Sequence, residues 1–209
     1  MVKKAAIVLI GTLFTVACDQ ASYSPSPSPT GPAADSSMSG APASTSTPAS
    51  QGQGRVGFGF NGTVSGFPTG QVFLTGGGSY SRVTGDVNSG GGFRCIESVL
   101  QGPLHTSINP DDPGGCLSGE GVRWDTAALL TSTTFKCTGA ATETLKTATT
   151  SDTTVVLQAD FYRASNGNEE SFTAQIIASA GDIAPDLPGI QNLWVQGVGC
   201  DTAIVNFNR

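Results

Sequence analysis

Two runs of alternating side chains constrain the fold more than any other feature. Val155, Leu157, Ala159 and Phe161 alternate with Val156, Gln158, Asp160 and Tyr162, and Phe172, Ala174, Ile176 and Ala178 alternate with Thr173, Gln175 and Ser179. A period of two places one set on the core face of a pleated strand and the other toward water. Asn166-Gly167 lies between the runs, and Asn-Gly accepts the positive φ angles of a hairpin turn. The residues flanking it predict a loop longer than two.

The rest of the segment 55–209 reads the same way. A second hairpin is expected from Leu193–Val198 and Ala203–Phe207 across Gly199-Cys200-Asp201. Further strands are expected at Val56–Phe60, Thr63–Phe67, Gln71–Thr75, Ser79–Val87, Phe93–Val99, Gly121–Trp124 and Thr133–Thr138. Short helical turns are arguable only at Thr126–Thr131 and Ala140–Thr147, and Gly181–Asn192, with Pro185 and Pro188, reads as a loop. The triplets Gly76-Gly77-Gly78 and Gly90-Gly91-Gly92 are expected at turns or bulges. They match no phosphate-cradling pattern with Lys and a following helix. Many short strands with Gly-rich connections predict a mainly β fold: a single disulfide-stabilised antiparallel β-sandwich or barrel.

Four cysteines fall inside that segment: Cys95, Cys116, Cys137 and Cys200. An even set in an exported domain pairs in an oxidising compartment. The favoured pairing is Cys95–Cys116, closing the Pro- and Gly-rich loop 101–115, with Cys137–Cys200 tying the middle of the domain to its end. No Cys-x-x-Cys is present, so no zinc site is expected.

The amino terminus has the three parts of an export signal. Lys3 and Lys4 supply the positive start, and Ala5–Ala17 is an uncharged run of 13 residues. A membrane-spanning helix needs about 20. The junction Thr15-Val16-Ala17-Cys18 resembles the lipobox of bacterial lipoproteins, with Thr15 where Leu is usual. The resemblance covers this short segment alone. It implies removal of residues 1–17 and acylation of Cys18, which then holds the chain to membrane lipid. Each buried acyl CH₂ contributes about 0.8 kcal/mol, and a second chain makes the attachment stable. Residues 18–54 are then the lipidated cysteine and a tether, expected to be disordered. From Ala21 onward they are dominated by Ser, Pro, Thr, Ala and Gly, too poor in bulky apolar groups to offset the entropy of ordering.

The net charge is −6, and Lys3-Lys4 is the sole basic cluster. That argues against a nucleic-acid partner, which needs a basic face to neutralise phosphates. Residues that can carry chemistry are scattered. His105 shares a loop with Ser107, Asn109, Asp111 and Asp112, without the elbow motif of a serine hydrolase or the spacing of a calcium loop. Glu97, Glu120, Asp125 and Asp160 are candidate acid–base carboxylates for glycoside cleavage if a fold pairs them. Arg94, Arg123 and Arg163 are their candidate partners. Trp124, Phe161, Tyr162 and Trp194 are expected in the core or, alternatively, along a glycan or apolar-ligand surface. No catalytic residue, cofactor or metal ligand is assigned. Three readings follow: a non-catalytic binding or structural β domain of the cell envelope, an apolar-ligand carrier barrel, and a hydrolase with dispersed carboxylates.

Overall fold

The computed structural model describes residues 54–105, 115–165 and 168–208. The expected signal segment and Cys18, the tether apart from Gly54, and Ser107, Asn109, Asp111 and Asp112 lie outside the described residues. Eleven strands are formed, and no helix occurs among the described residues. They are β1 (Arg55–Gly66), β2 (Gln71–Ser81), β3 (Val87–Glu97), β4 (Arg123–Leu129), β5 (Ser132–Phe135), β6 (Lys146–Thr149), β7 (Thr154–Ser165), β8 (Asn168–Ser179), β9 (Leu193–Val195), β10 (Gly199–Asp201) and β11 (Ala203–Asn208). The segments expected as helical turns instead hold parts of β4 and β6. Their Thr content suits a half-buried strand better than a helix.

Nine strands form one antiparallel sheet, ordered β10-β9-β8-β7-β4-β3-β2-β1-β11. β10 also pairs with β1, through Ser65↔Cys200 and Gly66↔Gly199. Hydrogen bonding therefore returns to β1 after passing through eight strands. β11 continues along β1 beyond Thr202, from Gly62↔Ala203 to Gly57↔Asn208. The expected terminal hairpin is thereby corrected. β9 turns back onto β10, and β11 pairs with β1 instead of with β9.

β7 and β8 pair along their whole length, from Thr154↔Ser179 to Ser165↔Asn168. Only two residues separate the strands, fewer than expected; they are Asn166 and Gly167, which lie outside the described residues. The larger correction concerns the glycine triplets. They lie inside strands, paired as Gly76↔Gly91 and Gly77↔Gly90. The β2–β3 connection falls at residues 82–86, within the segment expected to be a strand. One register row crosses the inner face of the sheet: Val205, Phe60, Gly76, Gly91, Trp124, Phe161, Phe172. Two residues without side chains thus stand beside the largest one. A Cβ on Gly76 would overlap the Trp124 indole, which lies parallel to the Phe60 ring at 5.8 Å. The indole N–H donates to the Thr75 carbonyl at 3.0 Å. Glycine within a strand here marks close approach of another group, not a turn.

The main core gathers Phe58, Phe60, Tyr80, Phe93, Trp124, Phe161 and Phe172 with aliphatic residues from β1 to β4 and β7 to β9. The rings touch edge-on or stacked, as in Phe93–Phe161 at 5.1 Å and Phe161–Phe172 at 5.6 Å. A second cluster lies on the opposite face of β7–β9, under the β5–β6 hairpin and the loop 181–192. It contains Phe135, Val156, Ile177, Ala184 and Trp194. Val156 belongs to the set expected to face water, yet it is fully buried. It pairs with Ile177, which pairs with Trp194. The doublets Val155-Val156 and Ile176-Ile177 are the sequence trace of a sheet covered on both faces at this point.

Two disulfides join Cys95 to Cys116 and Cys137 to Cys200. The second ties the loop after β5 to β10, at the edge of the second cluster.

Beside that cluster, Glu143 is held almost out of solvent with Lys146. Its carboxylate accepts hydrogen bonds from the Cys137 and Thr138 N–H groups, the Thr138 hydroxyl and Lys146 Nζ, all between 2.7 and 2.9 Å. Burial alone would raise its pKa, but these bonds, led by the Thr138 hydroxyl, outweigh it and bring the value from 4.5 to about 2. The folded pKa is the depressed one. The stabilisation is therefore complete above pH 4.5 and is lost as pH falls toward 2. Glu143→Gln is expected to cost about 2 kcal/mol at neutral pH through unsatisfied donors. It should also flatten the acid limb of stability, read by urea unfolding at pH 7 and pH 3. Equal acid sensitivity in both proteins would contradict this network's role.

Candidate functional site

The structure scatters most of the candidate residues. Trp124 and Phe161 are fully buried and Trp194 is 3% exposed, so all three are core. Tyr162 alone of the four aromatics is only half-buried, beneath the Arg123 guanidinium at 4.6 Å from its ring centre. His105 is exposed, and its N–H donates to the Gly102 carbonyl at 3.0 Å.

Of the four carboxylates, the fold brings Asp125 and Asp160 together. They are direct cross-strand partners on β4 and β7, which places their Cβ atoms about 5 Å apart. Asp160 accepts a hydrogen bond from the Thr173 hydroxyl at 2.7 Å, and Asp125 lies 3.9 Å from Arg123 Nε. Asp125 is 61% exposed. The pair sits on the solvated outer face, next to a row without side chains made by Gly59, Gly77 and Gly90. Acid–base cleavage needs two carboxylates flanking a bound bond in a water-poor pocket. Side-by-side placement on a wetted wall supplies neither. Glu120 pairs instead with Arg163 at 3.4 Å and caps the Leu117 N–H. Arg163 is buried, donates to the Gly115 carbonyl and lies over the Phe172 ring. This pair fastens the 115–120 segment onto the sheet. Glu97 ends β3, exposed and opposite Gln71.

Two described clefts combine a cation with apolar surface; Arg82, in the cleft with Leu129 and Leu130, is paired with Asp152, and the other cleft lies on β2–β3. It has a volume of about 350 Å³ and is lined by Phe73, Arg94 and Ile96. Phe73 and Arg94 are direct cross-strand partners on β2 and β3. The β2–β3 register then steps from Val72↔Cys95 to Gln71↔Glu97, leaving Ile96 without a partner. Such a bulge re-aims a side chain, and bulges collect next to functional sites. Ile96 is exposed, on the same outward side as Arg94. Leu100, Leu117 and Val122, all exposed, belong to the segment that follows.

Arg94 is unlike the other cations. Arg55 binds Ser79, Arg82 binds Asp152, Arg123 meets Asp125, Lys136 binds the Ala140 carbonyl, Lys146 binds Glu143 and Arg163 meets Glu120. Among the described residues, Arg94 alone has neither a hydrogen bond nor an ion pair. Sequence reasoning offered Arg94 as one of three candidate carboxylate partners and passed over Phe73 and Ile96. The legible signal is Phe93-Arg94-Cys95-Ile96, which carries apolar groups at successive positions where simple alternation would expose one.

No family model, curated protein or solved structure matches this chain. The functional reading therefore rests on the residues alone. The backbone around the cleft is already committed. β3 is laddered to β2 on one side, and on the other the Cys95 N–H donates to Glu120 while its carbonyl accepts from Gly119. Among the described residues, recognition at this place falls to one cation and two apolar groups.

Proposed function

We propose that this protein is a membrane-anchored lipoprotein of the cell envelope, displaying a non-catalytic β domain that binds or scaffolds through its outer wall. Cys18 carries the acyl chains, and residues 18–54 space the domain from the lipid. The domain is a closed eight-stranded barrel with β11 as an extension of its last strand. Barrels of this size leave an interior that side chains alone can fill. The observation that carries the non-catalytic reading is the row Phe60–Trp124–Phe161–Phe172, where the large aromatics pack on one another. A carrier for apolar ligands would need that volume empty. The hydrolase reading is weakened by the exposure of Asp125.

Support for the compartment comes from the two disulfides, which persist where the environment is oxidising, together with the export-type amino terminus. The test is fractionation of cells expressing the wild type or Cys18→Ser. The wild type should sediment with membranes, and the variant should appear in the soluble or secreted fraction. Unchanged sedimentation of the variant would overturn the anchor.

A further inference from the structure

We infer that the cleft between Phe73, Arg94 and Ile96 binds a small amphiphilic anion: a carboxylate carrying a medium-length alkyl chain. The inference rests on the reading of the outer wall as a binding surface and names its ligand class.

Charge complementarity selects the head group. The chain carries a net charge of −6, yet the one described cation without a partner stands in this cleft. A planar guanidinium fork matches a carboxylate with two parallel hydrogen bonds. A polyanion is disfavoured, because one cation neutralises one charge while the acidic surface, including exposed Glu97 at the end of the same strand, repels the rest.

The walls select the remainder of the ligand. Phe73, across on β2, and Ile96, two residues along β3, offer apolar surface beside the cation, and the backbone of β2 and β3 has no free ladder to offer an extended peptide. An alkyl chain requires no hydrogen bonds and gains by leaving water. The volume of about 350 Å³ lies at the lower end of small-molecule sites, roughly 300–1,000 Å³. That favours a chain of medium length over a folded lipid.

The experiment is equilibrium dialysis of radiolabelled decanoate, below its micelle concentration, against the full chain carrying Cys18→Ser so that no attached acyl group competes. Saturable binding at one site is expected. Arg94→Gln should weaken it at least tenfold, and Phe73→Ser should weaken it several-fold. Decanol and decyltrimethylammonium should fail to compete at concentrations where unlabelled decanoate does. Unfolding curves matching the parent would show that both variants are folded, as expected for outward-facing positions. Absence of saturable binding, equal affinity in Arg94→Gln, or equal competition by decanol would each overturn the inference. None of these outcomes bears on the anchor, which the fractionation of Cys18→Ser tests separately.

Discussion

Gly91→Ala should destabilise the domain by about 3 kcal/mol, the upper range for overpacking a core. Gly91 faces inward, and a Cβ there would meet the Gly76 Cα at 2.6 Å and overlap the Thr75 carbonyl. Both are backbone atoms of the neighbouring strand, so no rotamer change relieves the clash and the β2–β3 pair must separate. Gly76→Ala should also be costly, but for another reason: its closest overlap is with the indole of Trp124, with the Gly90 carbonyl next at 2.9 Å. Shortening that side chain in Gly76→Ala/Trp124→Leu should return part of the loss, and Trp124→Leu should return none of the loss caused by Gly91→Ala. Gly59→Ala is the matched control, because its nearest neighbour would be the Gly76 carbonyl at 3.8 Å. Its effect should stay within about 0.5 kcal/mol, as for ordinary surface changes. Urea unfolding followed by tryptophan fluorescence reads these variants, since both tryptophans are buried, with Trp194 alone reporting where Trp124 is replaced. Equal costs for Gly59→Ala and Gly91→Ala would show that the inner row is not tightly packed.

Removing the Cys137–Cys200 bridge should cost more than removing Cys95–Cys116. The bridged residues are 63 positions apart in the first case and 21 in the second. Loop-closure entropy then assigns about 4 kcal/mol to the longer loop and about 3 kcal/mol to the shorter. The location of the long bridge adds to the difference. It clamps the loop after β5 to β10, the short strand through which the ring returns to β1. The Cys137→Ser/Cys200→Ser pair should therefore lower the urea midpoint more than Cys95→Ser/Cys116→Ser, and expose Trp194 before Trp124. A larger loss from the shorter loop would contradict this account of how the ring is held closed.

The parts of the fold legible in the sequence are the local ones. The β7–β8 hairpin could be read because alternation and Asn-Gly act within one stretch of chain. Register there follows from burial on one face. The glycine triplets could not be read in the same way. Their role depends on Trp124, which lies more than thirty residues beyond the second triplet, and nothing local distinguishes a glycine beneath an indole from one in a turn. The terminal strands were misassigned for a related reason. Whether β11 joins β9 or β1 depends on closure of the whole ring, a non-local property of strand stagger. Burial of Val156 had a local trace in the apolar doublets, but the β5–β6 cover that explains it lies in a separate stretch of sequence.

The site was less legible than the fold. Of the paired carboxylates, only Asp125 and Asp160 met, because cross-strand register alone decides which side chains become neighbours. The isolation of Arg94 is a statement about every other charge on the surface, and a linear sequence does not contain it. Its neighbour Ile96 faces outward by simple alternation after buried Cys95, and the bulge that follows leaves it without a cross-strand partner.

Intact mass of the protein extracted from membranes tests the central claim most directly. The account predicts a chain beginning at Cys18 and heavier than its amino-acid sequence by a diacylglyceryl group, with or without a further acyl chain on the new amino terminus. A mass equal to an unmodified chain, cleaved elsewhere or not at all, would contradict it.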